Sequence, residues 1–374
     1  MRDGSSCGTT SRSGSSSLHL PIVDGKPAVR TGPGTAAGPL VDGLSRSISY
    51  LRISLTDRCN YRCTYCMPDE GIDLAPRADV LSFEEIEHAV EALMRVGVRK
   101  VRLTGGEPTV RKDLIELVQR LSRLGLDDLS LSTNGERLVE LAAPLKDAGL
   151  HRLNVSVDTL REDRFLQVTR RGNLAQVLAG LDKARAVGFV HTKVNCVAMR
   201  GFNDDEFAAL CAYCWDRDFI PRFIELMPMS DGTLFYPGTF LPASELRQIL
   251  TRAFGPLYRT EGEPLLPGVG PARYATVEYR GALRQMGLIS AVTEPFCDTC
   301  NRIRLSATGQ LHGCLAYDDA IDLRSVLRSG LTADDLMQRL VQVARGGLSE
   351  KRAGHVFSES GCGGPRKHMV SIGG

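Results

Sequence analysis

The sequence predicts an α/β fold, an incomplete (β/α)6 barrel with a C-terminal extension. Three observations lead there. From residue 48 to about residue 253, short apolar runs alternate with amphipathic helical patterns, as expected of βα units joined by right-handed crossovers into a parallel sheet. The units number six, which suits an incomplete barrel better than a closed eight-unit one. After about residue 255 the alternation stops.

Strands are expected at 48–55, 100–104, 129–133, 152–157, 192–199 and 222–227. Helices are expected at 83–95, 112–124, 137–148, 173–187, 204–217 and 243–253. Ser82 and Glu85 form a capping box for the first helix. Leu114, Ile115, Leu117, Val118 and Leu121 make one apolar stripe along the second. Polar residues gather where strands end: 104–107, 132–134, Ser156 and Asp158, Lys193 and Asn195, Glu225 and Met227. Barrels of this type place their sites at that end. Turn and cap chemistry accounts equally well for Asn134-Gly135 and Asp158-Thr159. Beyond the barrel, 273–279 and 283–290 read as a strand pair, followed by a second cysteine group and a mainly helical stretch. Residues 1–45, rich in Ser, Gly, Pro and Thr, read as a disordered extension. The expected organisation is therefore an extension over 1–45, a barrel over 46–255 and a C-terminal region over 256–374.

The chain has 374 residues, enough to bury a sizeable core. A net charge of +2 argues against a nucleic-acid binder driven by bulk charge, while leaving room for a local basic pocket. No apolar run is long enough for a membrane span, and the N-terminal segment lacks the apolar stretch of a signal peptide. Eleven cysteines, an odd number, argue against a disulfide framework. The expected compartment is the cytoplasm, where clustered thiols read first as metal ligands.

The first cluster is Cys59, Cys63 and Cys66, spaced C-x3-C-x2-C directly after a strand. A structural zinc would want a fourth ligand nearby. The spacing, with Tyr65 just before the third cysteine, resembles the signature of the radical S-adenosylmethionine superfamily. That resemblance implies a 4Fe–4S cluster with one iron open to the amino and carboxylate groups of S-adenosylmethionine. Electron transfer into the sulfonium would then give a 5′-deoxyadenosyl radical. Gly105-Gly106-Glu107-Pro108 resembles the superfamily's GGE motif; glycines let a main chain approach a ligand closely.

The second group is Cys297, Cys300 and Cys314. If Cys362 joined it, a zinc ribbon would be a fair reading. Without Cys362 it is a second three-cysteine cluster whose open iron would hold the substrate. Arg302 and Arg304 alternate beside Cys300 and share a face if the segment is extended. Arg52, Arg102 and Lys193 lie inside core strands, where a cation is expensive unless paired. Pairing with Glu107 or Glu225 is the bland account; a polyanion such as a triphosphate is the functional one. Cys196, Cys211 and Cys214 are assigned to the core, and Cys7 has no near partner.

Taken together, the motifs resemble the GTP 3′,8-cyclase family of molybdenum cofactor biosynthesis. They are the run 51–59, Cys63-x-Tyr65-Cys66-Met67-Pro68, the run 103–108, Ser132-Thr133-Asn134-Gly135, the run 223–227, the second cysteine group and the terminal Gly373-Gly374. The resemblance implies a TIM-like (β/α)6 partial barrel, two 4Fe–4S clusters and a homodimer. It implies hydrogen abstraction from C3′ of GTP and closure onto C8, giving a cyclic dihydroguanosine triphosphate that cyclic pyranopterin synthase takes up. A reductant protein would serve the cluster. By position, Tyr65, Gly106, Ser156 and Met227 would line the S-adenosylmethionine site. Arg52, Arg102, Ser132, Lys193, Arg302 and Arg304 would contact GTP, with Gly373 and Gly374 organising that site alongside the last two arginines. The family commonly has threonine where Ser132 stands, and the N-terminal extension is a departure. Two rivals make different forecasts: a peptide-modifying radical enzyme expects no arginine pair beside the second cysteines, and a non-enzymatic metal-binding module expects zinc.

Overall fold

The computed structural model describes residues 38–259, 270–351, 354, 357 and 364–373. Six strands follow one another in parallel: β1 (Tyr50–Ser54), β2 (Lys100–Thr104), β3 (Asp128–Thr133), β4 (Arg152–Ser156), β5 (Lys193–Ala198) and β6 (Ile220–Glu225). Between and after them run α1 (Phe83–Met94), α2 (Leu114–Ser122), α3 (Leu138–Asp147), α4 (Glu162–Thr169), α5 (Leu174–Ala186), α6 (Phe207–Trp215) and α7 (Ala243–Phe254). Their apolar stripes close on the sheet, so Leu103, Leu117, Leu131, Val155 and Leu181 are fully buried. The capping box at Ser82 and Glu85 forms as expected.

The remaining elements are β7 (Tyr258–Arg259), β8 (Arg273–Tyr279), β9 (Ala282–Ile289), β10 (Arg302–Leu305), β11 (Gln310–His312), β12 (Ile321–Asp322), α8 (Arg324–Leu327), α9 (Ala333–Ser349) and α10 (Met369–Ile372). They extend the same sheet rather than building a separate one. β9 adds in parallel to β6 and β10 in parallel to β1. The full order is β12-β11-β10-β1-β2-β3-β4-β5-β6-β9-β8-β7. The C-terminal part of the chain thus supplies strands to both edges of the open barrel, and brings the second cysteine group to the edge that carries the first.

Two expectations need correction. Part of the stretch assigned to a disordered extension is packed: Leu40 is fully buried, its N–H donates to the Val96 carbonyl at 2.6 Å, and it accepts from Ile48 N at 2.8 Å. Its apolar contact outweighs the Gly- and Ser-rich composition around it. Second, two helices rather than one separate β4 from β5. The extra one, α4, opens on Glu162 and Asp163, residues that favour a helix N-terminus, and buries Phe165 and Val168.

Candidate active site

The first cysteine loop leaves β1 and is held from two sides. On one, the main chain at Gly106 and Glu107 donates to the carbonyls of Thr56 and Arg58 at 2.7 and 2.9 Å. A β-carbon on Gly106 would sit 2.4 Å from the Arg58 carbonyl oxygen, so the approach requires glycine. On the other side, Arg62 N and Thr64 N donate to the carbonyls of Thr169 and Val168 at the end of α4. Phe165 packs edge-on to Tyr61, and Arg170 donates to the carbonyls of Arg62 and Met67. Cys66 N and Met67 N close the turn onto the Cys63 carbonyl. The loop is therefore placed by two distant segments, residues 106–107 and residues 165–170.

All six thiols of the two groups are free and line one cavity of about 310 Å³ inside the barrel. Burial pushes the Cys59 thiol up to about 11 and that of Cys66 to about 12, and raises Cys63 well above its ordinary value. Their mutual repulsion as thiolates adds to this. At Cys300 burial also acts upward, but Arg302 and Lys351 outweigh it and leave the thiol below its ordinary value. Among the described residues, no three His, Cys, Asp or Glu side chains form a group that could hold a single metal ion.

The cavity wall also carries polar groups. Tyr65 donates its hydroxyl to Asp158 Oδ2 at 2.7 Å, and Val197 N donates to Oδ1 at 2.8 Å. Burial raises that carboxyl to about 6. Glu107 accepts from Thr109, Thr133 and Asn134, while Glu225 accepts from Ala243, Val292 and Thr293. Both carboxylates are thus committed to backbone and hydroxyl donors, not to the strand cations. Ser132, Ser156 and Met227 also face the cavity.

The cations form a row. Strand register sets Arg304 beside Arg52 and Arg52 beside Arg102, on three adjacent strands. Adjacent residues in register point to the same face about 4.8 Å apart, so three guanidinium groups converge on one interior level. Burial, and then Arg304 and Arg102, depress Arg52 far below its usual value. Arg304 falls to about 10, chiefly through burial and then Arg302. Lys193 falls to about 6 through burial, Arg222, Arg152 and Arg102. Arg302 reaches Cys300 Sγ at 3.7 Å and lies over the Phe296 ring. Arg304 donates to the Gly373 carbonyl at 2.6 Å. Gly373 has φ +69°, and a β-carbon there would overlap the Thr104 hydroxyl.

Every sequence-selected residue from Arg52 to Cys314 lines this one cavity, and Gly373 abuts it through Arg304. Gly374, Cys7 and Cys362 lie outside the described residues. Cys196, Cys211 and Cys214 are fully buried in the core, as assigned. Sequence reasoning missed Arg222 and passed over Asp158. Arg222 is 3% exposed and donates to Asn154 and Asn195 at 2.7 and 2.9 Å. A buried cation within a strand was the signal that could have found it.

Residues 53–214 match the family model of the radical SAM superfamily, and residues 220–357 match that of Molybdenum Cofactor Synthesis C. A GTP 3′,8-cyclase of Pelotomaculum thermopropionicum is 46% identical over 334 residues, covering 89% of this chain and 99% of that one. The chain belongs to the GTP 3′,8-cyclase family. A second member, from Paracoccus denitrificans, is 42% identical, covering 90% of this chain and 93% of its own. Within this cyclase-family chain, the first thiol group falls in the first matched region and the second group in the other. Streptococcus suis SuiB bound to S-adenosylmethionine shares the fold, with a TM-score of 0.54 at 15% identity, covering 84% of this chain and 69% of that one. Among the described residues no helix is long and apolar enough to cross a membrane.

Proposed function

We propose that the chain is a radical S-adenosylmethionine lyase that converts GTP to (8S)-3′,8-cyclo-7,8-dihydroguanosine 5′-triphosphate, the first step of molybdenum cofactor biosynthesis. The observation that carries this reading is the row of arginines in register at one level of a cavity that also holds two thiol trios. A converging row of cations is costly unless an anion joins it, and a triphosphate spans several guanidinium forks at once.

The residues fit two 4Fe–4S clusters, one on Cys59, Cys63 and Cys66 and the other on Cys297, Cys300 and Cys314. Six free thiols in two sets of three face a common space, and thiols bind iron as thiolates, one to each iron they reach. The buried first trio is acidified only when positive charge joins it. When bound, the first cluster supplies the electron that splits S-adenosylmethionine and so the deoxyadenosyl radical that takes hydrogen from C3′ of GTP.

The chain's own part is placement and exclusion of water. The main chain at Gly106 offers a surface without side chains to the methionine portion of S-adenosylmethionine. Tyr65, held by Asp158, and Ser156 and Met227 border the same compartment. Arg52, Arg102, Ser132 and Lys193 receive GTP from the strands, and Arg302 and Arg304 from the side of the second thiols. Gly373 accepts from Arg304, so the C-terminal segment fixes one arm of that fork and leaves the others for substrate. Met369 and Val370 of the same segment line the cavity and shield it. The arginine pair on β10 favours this reading over a peptide-modifying enzyme. We include in it a cytoplasmic homodimer, a reductant protein and delivery of product to cyclic pyranopterin synthase.

The test is metal content after anaerobic reconstitution. Wild type is expected to hold about eight irons per chain. Replacing Cys59, Cys63 and Cys66 together should halve that and abolish S-adenosylmethionine cleavage. Zinc in place of iron, or full iron in the triple variant, would sink the assignment.

A further inference from the structure

We propose that Asp42 is a positioning residue for the second thiol group, its buried carboxylate holding Arg46 and Lys351 against the two ends of the turn that carries Cys297 and Cys300. The proposal rests on the reading that this group binds a cluster. Asp42 lies before both matched regions, in a stretch whose composition reads as disordered, yet its side chain is 0% exposed. Oδ1 accepts from Leu44 N and Arg46 N, each at 3.0 Å. Oδ2 accepts from Arg46 Nε at 2.8 Å and lies 3.5 Å from Lys351 Nζ.

Both cations reach onward. Arg46 donates to the Cys297 carbonyl, 251 residues away. Lys351, with a side chain 3% exposed, donates to the Arg302 carbonyl at 3.3 Å. Cys297 and Arg302 bracket the turn, which closes with Cys300 N on the Cys297 carbonyl at 3.1 Å. One carboxylate thus ties both ends of the turn to the N-terminal segment and to the end of α9. It also balances only one of its two cations. The surplus positive charge stands at the cavity wall, where Arg46 acts on Cys297 and Lys351 on Cys300, and thiolates bound to iron bring the opposite sign.

Asp42→Asn keeps the shape and removes the charge, leaving two cations buried with no counter-charge, which costs strongly. The turn should then loosen and the thiols on it become accessible. The experiment follows iodoacetamide alkylation of each cysteine in cluster-free protein by peptide mass analysis. It then follows iron release to a chelator from reconstituted protein. In Asp42→Asn, Cys297 and Cys300 are expected to react about tenfold faster, with Cys59, Cys63 and Cys66 unchanged, in keeping with loss of a local rather than global constraint. Half the iron should leave faster, and S-adenosylmethionine cleavage should persist.

Adding Lys351→Gln restores the wild-type net charge of the group and should recover much of the loss, which a purely packing role would not. If Asp42→Asn does not fold, Lys351→Gln alone should accelerate Cys300 and spare the first group. Equal acceleration at all five thiols, no acceleration in folded Asp42→Asn, or a double variant worse than the single would overturn the proposal. A wild type that takes up about four irons would instead sink the second cluster, while the alkylation comparison, which needs no iron, would still decide the role of Asp42.

Discussion

The charge of Lys193 depends on what fills the cavity. Its amine falls from 10.5 to about 6 because it is buried and faces Arg222, Arg152 and Arg102. Without a neighbouring anion it is therefore neutral at pH 7.5. The unfolded chain keeps that proton to about 10.5 and the folded chain only to about 6, so this group adds stability as pH rises through that window. A triphosphate beside it reverses the balance and draws the proton back. GTP binding at pH 7.5 should accordingly take up as much as about one proton, measured by calorimetry in two buffers of different ionisation enthalpy. Lys193→Met should remove the uptake, and binding without uptake in wild type would contradict the placement. Lys193, Arg52 and Arg102 were legible because a cation inside an apolar run is out of place. Arg222 is equally out of place, but the expected strand 222–227 put it at the first position rather than inside the run, whereas β6 starts at Ile220. Asp158 read equally as a turn residue, and only the folded sheet brings it 2.7 Å from a tyrosine 93 positions away.

At the level of elements, α4 matters most to the first thiol loop, and it was the helix the sequence hid. Its opening is wholly polar and its apolar residues are few, so periodicity gave a weak signal. Phe165 is 2% exposed and meets Tyr61 at a centroid distance of 6.1 Å. Phe165→Ala should cost about 3–5 kcal/mol of stability, seen in thermal or denaturant unfolding. On the proposed two-cluster reading it should also speed iron loss from the first cluster before the second. Equal loss from both would mean that α4 serves the fold as a whole rather than the loop. The six barrel strands were legible because each carries a continuous or alternating apolar run bounded by turn residues. β10 was foreseen only as an extended segment beside Cys300, since Arg302 and Arg304 occupy half its positions. β11 and β12, with three and two residues, are too short to carry any period.

For the molecule as a whole, the decisive feature is that one sheet carries both thiol groups. β10 pairs in parallel with β1, so the loop after β1 and the turn before β10 lie at opposite ends of that strand pair, and both line the cavity inside the barrel. Sequence spacing identified each cysteine group separately, but the parallel pairing that sets them at the two ends of one cavity is a long-range contact with no local signature. On the proposed reading, the arrangement gives one cavity both a radical source and an anion site, which is what hydrogen abstraction from a bound nucleotide requires. The most direct test uses GTP carrying deuterium at C3′, incubated anaerobically with reconstituted protein, S-adenosylmethionine and a reductant. The account expects the 5′-deoxyadenosine formed to be heavier by one deuterium, in step with formation of the cyclic nucleotide. Turnover that yields only unlabelled 5′-deoxyadenosine while the cyclic product accumulates would contradict it.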